Sequence, residues 1–348
     1  MNPRRRRISP QSLAVAVFRL REAGILLALG AAVTFFAIRA PNFLSIGNWQ
    51  GIAQNVAIVV VVGVGETLVV LTRNIDLSVG SIVGLTAYLS AATFSHHGGT
   101  PLPLVALIAV AIGLGLGLVN GVLVAIARVP AIIATLATLA IYRGVDVQIT
   151  GGGNITAYEL PDRFLEIAST RPAGVPTLAW IAAGAAIVGA AALRWAPWGR
   201  DLYAIGSNPE AARFAGIRVG RRVIAAFATS GALAGLGGFL WASRFPTVDA
   251  VQAKGFELDV ITAVVIGGVN VFGGSGTILG VVLGALLVAT IQNGFTLLRI
   301  SEFWRLFFNG FAIVVAVTID ALLTRRLQEA LRRRRADTLA ARHLEGRT

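Results

Sequence analysis

From Pro101 to Ala127 the chain runs 27 residues without one ionisable side chain. About 20 apolar residues, at about 1.5 Å of helix rise each, cover the hydrocarbon core of a bilayer. Backbone polar groups in lipid must be satisfied within the segment, so such a run crosses as a helix. Comparable runs recur at about 23–40, 51–72, 130–149, 173–193, 223–242, 277–297 and 304–324. Another begins near Leu77 and stops before the turn Ser95-His-His-Gly-Gly99. A short, interrupted one covers about 258–270. The chain is therefore expected to be an all-α polytopic membrane protein with about ten transmembrane helices. Its 14% charged residues, against about a quarter in soluble domains, agree with that class.

Charge orients the spans. Most of the 30 Lys and Arg fall at Arg4 to Arg7, in the rest of the opening stretch, at the turns of Arg73 and Arg128, in 194–222 and in the closing stretch. That asymmetry marks cytoplasmic segments and puts both termini inside. The organisation read from it is a basic tail over 1–22, a membrane domain over 23–324 with a cytoplasmic loop at 194–222, and a second basic tail over 325–348. The net charge of +13 is thus assigned to topology rather than to nucleic acid. The opening arginines resemble a signal-peptide n-region, but no small-residue cleavage site follows, and the first apolar run is read as a retained span.

Loop 194–222 is the one long polar island on the inner side. Asn208 suits an N-cap, Pro209 the first helical position, and Glu210 the positive helix end. Gly216 supplies a left-handed stop. A helix of about two turns, Pro209 to Ala215, is expected, ringed by Arg200, Arg213, Arg218, Arg221 and Arg222. A capped, charged helix between two spans fits a docking element for a soluble partner.

Other residues invite chemistry. The only lysine, Lys254, has no glycine-rich turn before it, so a P-loop is absent and nucleotide hydrolysis by that mechanism is excluded. Without cysteine there is no thiolate metal site, and His96, His97 and His343 have no partner at ligand spacing. No nucleophile–base set stands out, and the chain does not read as an enzyme. Glu66 lies about seven residues from Arg73, roughly 10 Å deep; it is a proton site, a packed carboxyl or a pathway group. Asn120, Gln292 and Asn293 are amides in apolar helices and need either another helix or a polar solute. Asp76, with Ser78 and Ser81, is suited to cap a broken or re-entrant helix, with Gly80 in the break. Ridges at Gly113, Gly117 and Gly121, at Gly231 and Gly235, and at Gly276, Gly280 and Gly284 predict close helix packing. Segment 66–84 shares its polar, glycine-rich texture with 267–276, and Asn120-Gly121 with Asn293-Gly294, a pattern compatible with an old duplication.

Several stretches together resemble ribose-type sugar permeases of ATP-binding cassette importers. They are Thr67-Leu-Val-Val-Leu-Thr-Arg-Asn-Ile-Asp-Leu-Ser-Val-Gly-Ser81, Asn120-Gly-Val-Leu-Val, Val129-Pro-Ala-Ile-Ile-Ala-Thr-Leu136, Arg143-Gly144, Gly199-Arg-Asp-Leu-Tyr-Ala-Ile-Gly206, Glu257-Leu-Asp-Val-Ile-Thr-Ala-Val-Val-Ile-Gly-Gly268 and Gly273-Gly-Ser-Gly276. They run in order over about 25–323. The resemblance implies a permease of the bacterial inner membrane, without cofactor of its own. It pairs with an identical or sister permease, is driven by an ATPase subunit that binds ATP, and is fed by a periplasmic sugar-binding protein. It further implies that Glu210, Ala211, Ala212 and Gly216, with their neighbours Asn208, Pro209 and Arg213, contact the ATPase. Thr72-Arg-Asn-Ile-Asp76, Leu297-Leu-Arg-Ile300 and Phe303-Trp304 look closer to permeases for rhamnose or the autoinducer-2 furanosyl signal. The rival reading is an ion-coupled secondary transporter or channel for a small polar solute, centred on Glu66.

Overall fold

The computed structural model describes residues 10–245, 247–301, 303–318 and 321. The second basic tail, 325–348, lies outside them. Ten helices form the membrane body: α1 (Pro10–Arg39), α2 (Ile46–Leu71), α3 (Val79–His96), α4 (Leu102–Ala125), α5 (Ala131–Thr150), α7 (Thr177–Trp195), α10 (Val219–Arg244), α11 (Phe256–Ile266), α12 (Ile278–Leu297) and α13 (Phe303–Thr318). Seven of the described helices are long and apolar enough to cross a membrane. With the shorter α3, α11 and α13 they match the expected span count.

α2 is the axis. Its Ala57–Val64 run is apolar on every side and buried throughout, so it must be surrounded by other helices. α10, α7, α12 and α11 pack around it, and α10 packs also against α3 and α4. α1, α4, α5 and α7 form the rim, exposing Leu27, Ile38, Leu107, Ile133, Ile141 and Ile187. The glycine ridges of α4 and α10 give the expected close packing, and the fold shows that they pack against each other. A Cβ on Gly117 would lie 3.0 Å from Gly231 Cα, and one on Gly113 would lie 2.8 Å from the Gly235 nitrogen. Gly280 and Gly284 lie instead against Gly267. Gly276 does not belong to that helical ridge; it precedes α12 at φ +152, packed on Val269.

α1 starts at Pro10, and the part of it long and apolar enough to cross, Glu22–Arg39, agrees with the expected run 23–40. Residues 150–172, between the runs at 130–149 and 173–193, carry strand β1 (Asn154–Thr156) and helix α6 (Asp162–Ser169). β1 pairs antiparallel with β2 (Thr247–Asp249), Ile155 opposite Val248, and so joins the two outer segments. α6 stays because Phe164 is fully buried between Phe94 and Phe239, with ring centroids 4.6 and 5.2 Å away. Loop 194–222 holds two helices, α8 (Pro197–Ser207) and α9 (Pro209–Phe214). α8 buries Leu202 and Ile205, and Arg222 ties its Asp201 to the start of α10 at 2.7 Å.

The chain is irregular over 72–78, the turn between α2 and α3, and over 267–277, between α11 and α12. α11 has 11 residues, about 16 Å of helix, half a bilayer core.

Candidate functional site

α9 is stopped at both ends by its own sequence. The Asn208 side-chain oxygen accepts the N–H groups of Glu210 (3.0 Å) and Ala211 (3.1 Å). At the other end Ile217 N–H donates to Ala212 O (3.0 Å) and Gly216 N–H to Arg213 O (2.9 Å). That bond pair requires the left-handed residue that Gly216 provides at φ +84. Ala212 faces inward, while Glu210, Ala211 and Arg213 are exposed. Phe214 is 93% exposed at the tip. Sequence reasoning passed over Phe214, because an apolar residue in a short helix normally faces inward; only the helix phase set by the Asn208 cap turns it out.

The root of α9 is clamped to both irregular segments, 72–78 and 267–277. Arg73, with φ +69, donates Nε–H to Gly206 O (2.6 Å) and Nη2–H to Ser207 O (2.8 Å). These are the last residues of α8, directly before the Asn208 cap. Gly274 N–H donates to Leu71 O (3.1 Å), which joins the second segment to the end of α2. Gly206 has no room for a side chain: a Cβ would overlap Leu71 O and the Gly274 backbone. Tyr203 of α8 donates its hydroxyl to Gly276 O (2.9 Å).

The turn over 72–78 ends in a buried polar knot. Glu66 accepts the Asp76 N–H (3.0 Å). Asp76 accepts the Ser78 N–H (3.0 Å) and hydroxyl (2.6 Å). Asn120 of α4 donates to Ser78 Oγ (2.7 Å) and reaches Asp76 (3.4 Å). All four side chains are fully buried. Hence Glu66 and Asn120, considered for the solute pathway, share one cluster with Asp76 and Ser78, considered as a cap. Gly80 adds a close approach, since a Cβ there would collide with Glu257.

The remaining amides are elsewhere. Asn293 and Asn48 exchange side-chain hydrogen bonds at 2.9 and 3.0 Å, fastening α12 to α2. The two Asn-Gly pairs thus have different surroundings. Gln292 instead borders a cavity of about 390 Å³ on the outer half and donates to Asp259 (2.7 Å).

With this geometry in view, similarity to known proteins can be stated. The family described as branched-chain amino acid transport system / permease component matches residues 48–317. The chain is 35% identical over 315 residues to the autoinducer 2 import system permease protein LsrC of Salmonella typhi, covering 90% of each chain. It is 36% identical over 303 residues to the ribose import permease protein RbsC of Escherichia coli K12, covering 86% of this chain and 94% of that one. No solved structure matches.

Proposed function

The chain belongs to the branched-chain amino acid transport system / permease component family, and on that premise we propose that it is the membrane subunit of an ATP-binding cassette importer. Its solute is a monosaccharide or sugar-like molecule, taken inward across the bacterial inner membrane. Relatives named for autoinducer 2 import and for ribose import support the sugar class. Of the two solute types suggested by the residues, the autoinducer-2 type has a named relative and rhamnose has none here.

The observation that carries the mechanism is the clamp between the root of α9 and the irregular segments 72–78 and 267–277. ATP is bound and hydrolysed by a partner subunit docked on Asn208 to Gly216, with exposed Phe214 as the apolar contact of an otherwise charged surface. Force on α9 passes through Gly206 and Ser207 to Arg73, and from there to 72–78 and 267–277. Irregular backbone can shift at low cost where a continuous helix cannot. ATP binding drives the change only because the partner grips α9 differently in the two states. A periplasmic binding protein delivers the solute, and a second permease, identical or sister, completes the pathway.

The test is substitution of Glu210→Arg and Gly216→Val in the assembled importer. Valine at φ +84 is strained by about 1–2 kcal/mol, enough to unravel the stop of a six-residue helix. Both variants should express normally yet lose uptake and the ATPase stimulation that solute-loaded binding protein produces. If both activities survive, the docking assignment is wrong. The rival, ion coupling through Glu66, gains nothing from the geometry: Glu66 is fully buried in the knot and borders neither described cavity.

A further inference from the structure

The cavity of about 390 Å³ on the outer half has two unlike walls. One is aromatic. Trp241 of α10 lies 4.5 Å from Phe245 and 5.3 Å from Phe256, ring centroid to centroid. The other is polar. Asp259 of α11 accepts from Gln292 of α12 (2.7 Å) and, behind the wall, from Asn309 of α13 (2.5 Å), while Arg305 of α13 borders the void itself. Arg244 holds Asn55 of α2 through Nε and Nη2 at 3.1 and 2.9 Å. Five helices therefore place polar groups around one void.

A packing role alone does not account for this wall. Arg244 ends α10 and Asp259 sits in the first turn of α11, and both turn toward the void rather than toward lipid, as charged groups on solute pathways face water-filled cavities. The second cavity gives the contrast. Bounded by α1, α11, α12 and α13, it is larger, about 540 Å³, but lined by Ile25, Val265, Leu287, Ile291 and Phe308 with no charged side chain. A hydrated solute finds partners only in the first. Its volume is near the lower end of ligand pockets, about 300–1,000 Å³, which suits one ring rather than two.

We infer that this chamber is the first station of the solute within the permease, taking one saturated polyol ring with its C–H face on Trp241 and Phe256 and its hydroxyl edge on Gln292, Asp259 and Asn55. The inference rests on the import reading and deepens it. A station on a pathway must bind weakly enough to release, so affinity is expected well below that of the delivering protein. Gln292 was singled out in the sequence; Trp241, Asp259 and Asn55 join it only through the fold.

The test uses the whole importer in proteoliposomes, with ATPase and binding protein, and a panel of D-ribose, L-rhamnose and autoinducer 2. Trp241→Leu and Gln292→Leu should each lower uptake of the transported solute about tenfold or more, while ATPase stimulation by loaded binding protein stays within twofold. Trp241→Tyr, which keeps an aromatic face, should recover most of the uptake. Where a leucine variant fails to assemble, Trp241→Tyr and Gln292→Glu decide the matter: a changed ratio of uptake among the three solutes supports the station. Unchanged uptake and unchanged ratios in the assembling variants overturn it. No uptake of any panel member and no ATPase stimulation by the wild-type assembly would instead count against the import reading.

Discussion

Replacing Arg73 by methionine should uncouple ATP hydrolysis from solute movement. Methionine keeps much of the aliphatic stem, which packs where a side chain on Gly273 would otherwise lie. Both residues bear the same penalty at φ +69, so the backbone cost cancels. What is lost is the pair of bonds to Gly206 O and Ser207 O, at 2.6 and 2.8 Å. Hydrogen bonds to charged groups contribute about 1.5–3 kcal/mol each. The Gly206 bond is partly buried and is placed mid-range at about 2 kcal/mol; the Ser207 bond is exposed and screened, so about 1 kcal/mol is assigned to it. Together they hold the α8–α9 junction to the turn by about 3 kcal/mol, a factor of about 100 in the latched fraction at 1.4 kcal/mol per decade. Solute moved per ATP hydrolysed, measured in proteoliposomes with the partner ATPase and binding protein, should fall at least tenfold. Basal hydrolysis should persist, because α9 keeps its own caps. Arg73→Lys, a single point charge in place of a planar fork, should lie between. A methionine variant with wild-type solute per ATP would refute the latch.

Further outcomes follow from local geometry. Gly117→Val should lower the melting temperature in detergent, because overpacking costs about 1–3 kcal/mol and the facing atoms are Gly231 and Phe227 backbone. Gly115→Val, two residues along on a face with nothing within 4 Å, should leave it nearly unchanged. Asn48→Leu and Asn293→Leu should each destabilise, and the double variant should cost less than their sum, by about 0.6–1.7 kcal/mol in a double-mutant cycle. In the outer turn, Glu159 accepts the N–H and hydroxyl of Thr156, which hold its carboxyl below the usual range. A depressed folded-state pKa means that the stabilisation is complete above the ordinary glutamate value and is lost as pH falls through the depressed one. Protection of the Thr156 amide from hydrogen exchange should decline over that window, and Glu159→Gln should abolish the decline.

Much of the fold could be read from runs of apolar residues. The crossings, the half-crossing near 258–270, the caps of α9 and the glycine ridges of α4 and α10 all rest on chain-local physics: length, helix period, cap chemistry and side-chain size. The site was legible in its parts. Asn208, Gly216 and Asp76 announce their backbone work by residue type, Ser78 makes no side-chain cap bond to α3 and instead donates its hydroxyl to Asp76, and Glu66, Asn120, Gln292 and Asn293 stand out as polar groups in oil. Their grouping was not legible, because partners of one polar group lie far apart in the chain. Asn120 meets Ser78 across 42 positions and Asn293 meets Asn48 across 245.

The amino-acid sequence by itself determined that this chain lies in a membrane and where the short helix α9 begins and ends. A bilayer leaves backbone no choice but the helix, and caps act within one turn. Only the tertiary structure decided that Arg73 ties the root of that helix to 72–78 while Gly274 joins 267–277 to the end of α2, that Glu66 belongs to a buried knot, and that Gln292 alone among the four candidate pathway residues borders the outer chamber. Those outcomes depend on how helices rotate and shift against one another, and rotation by a third of a turn sends the same amide to a neighbouring helix or to a solute.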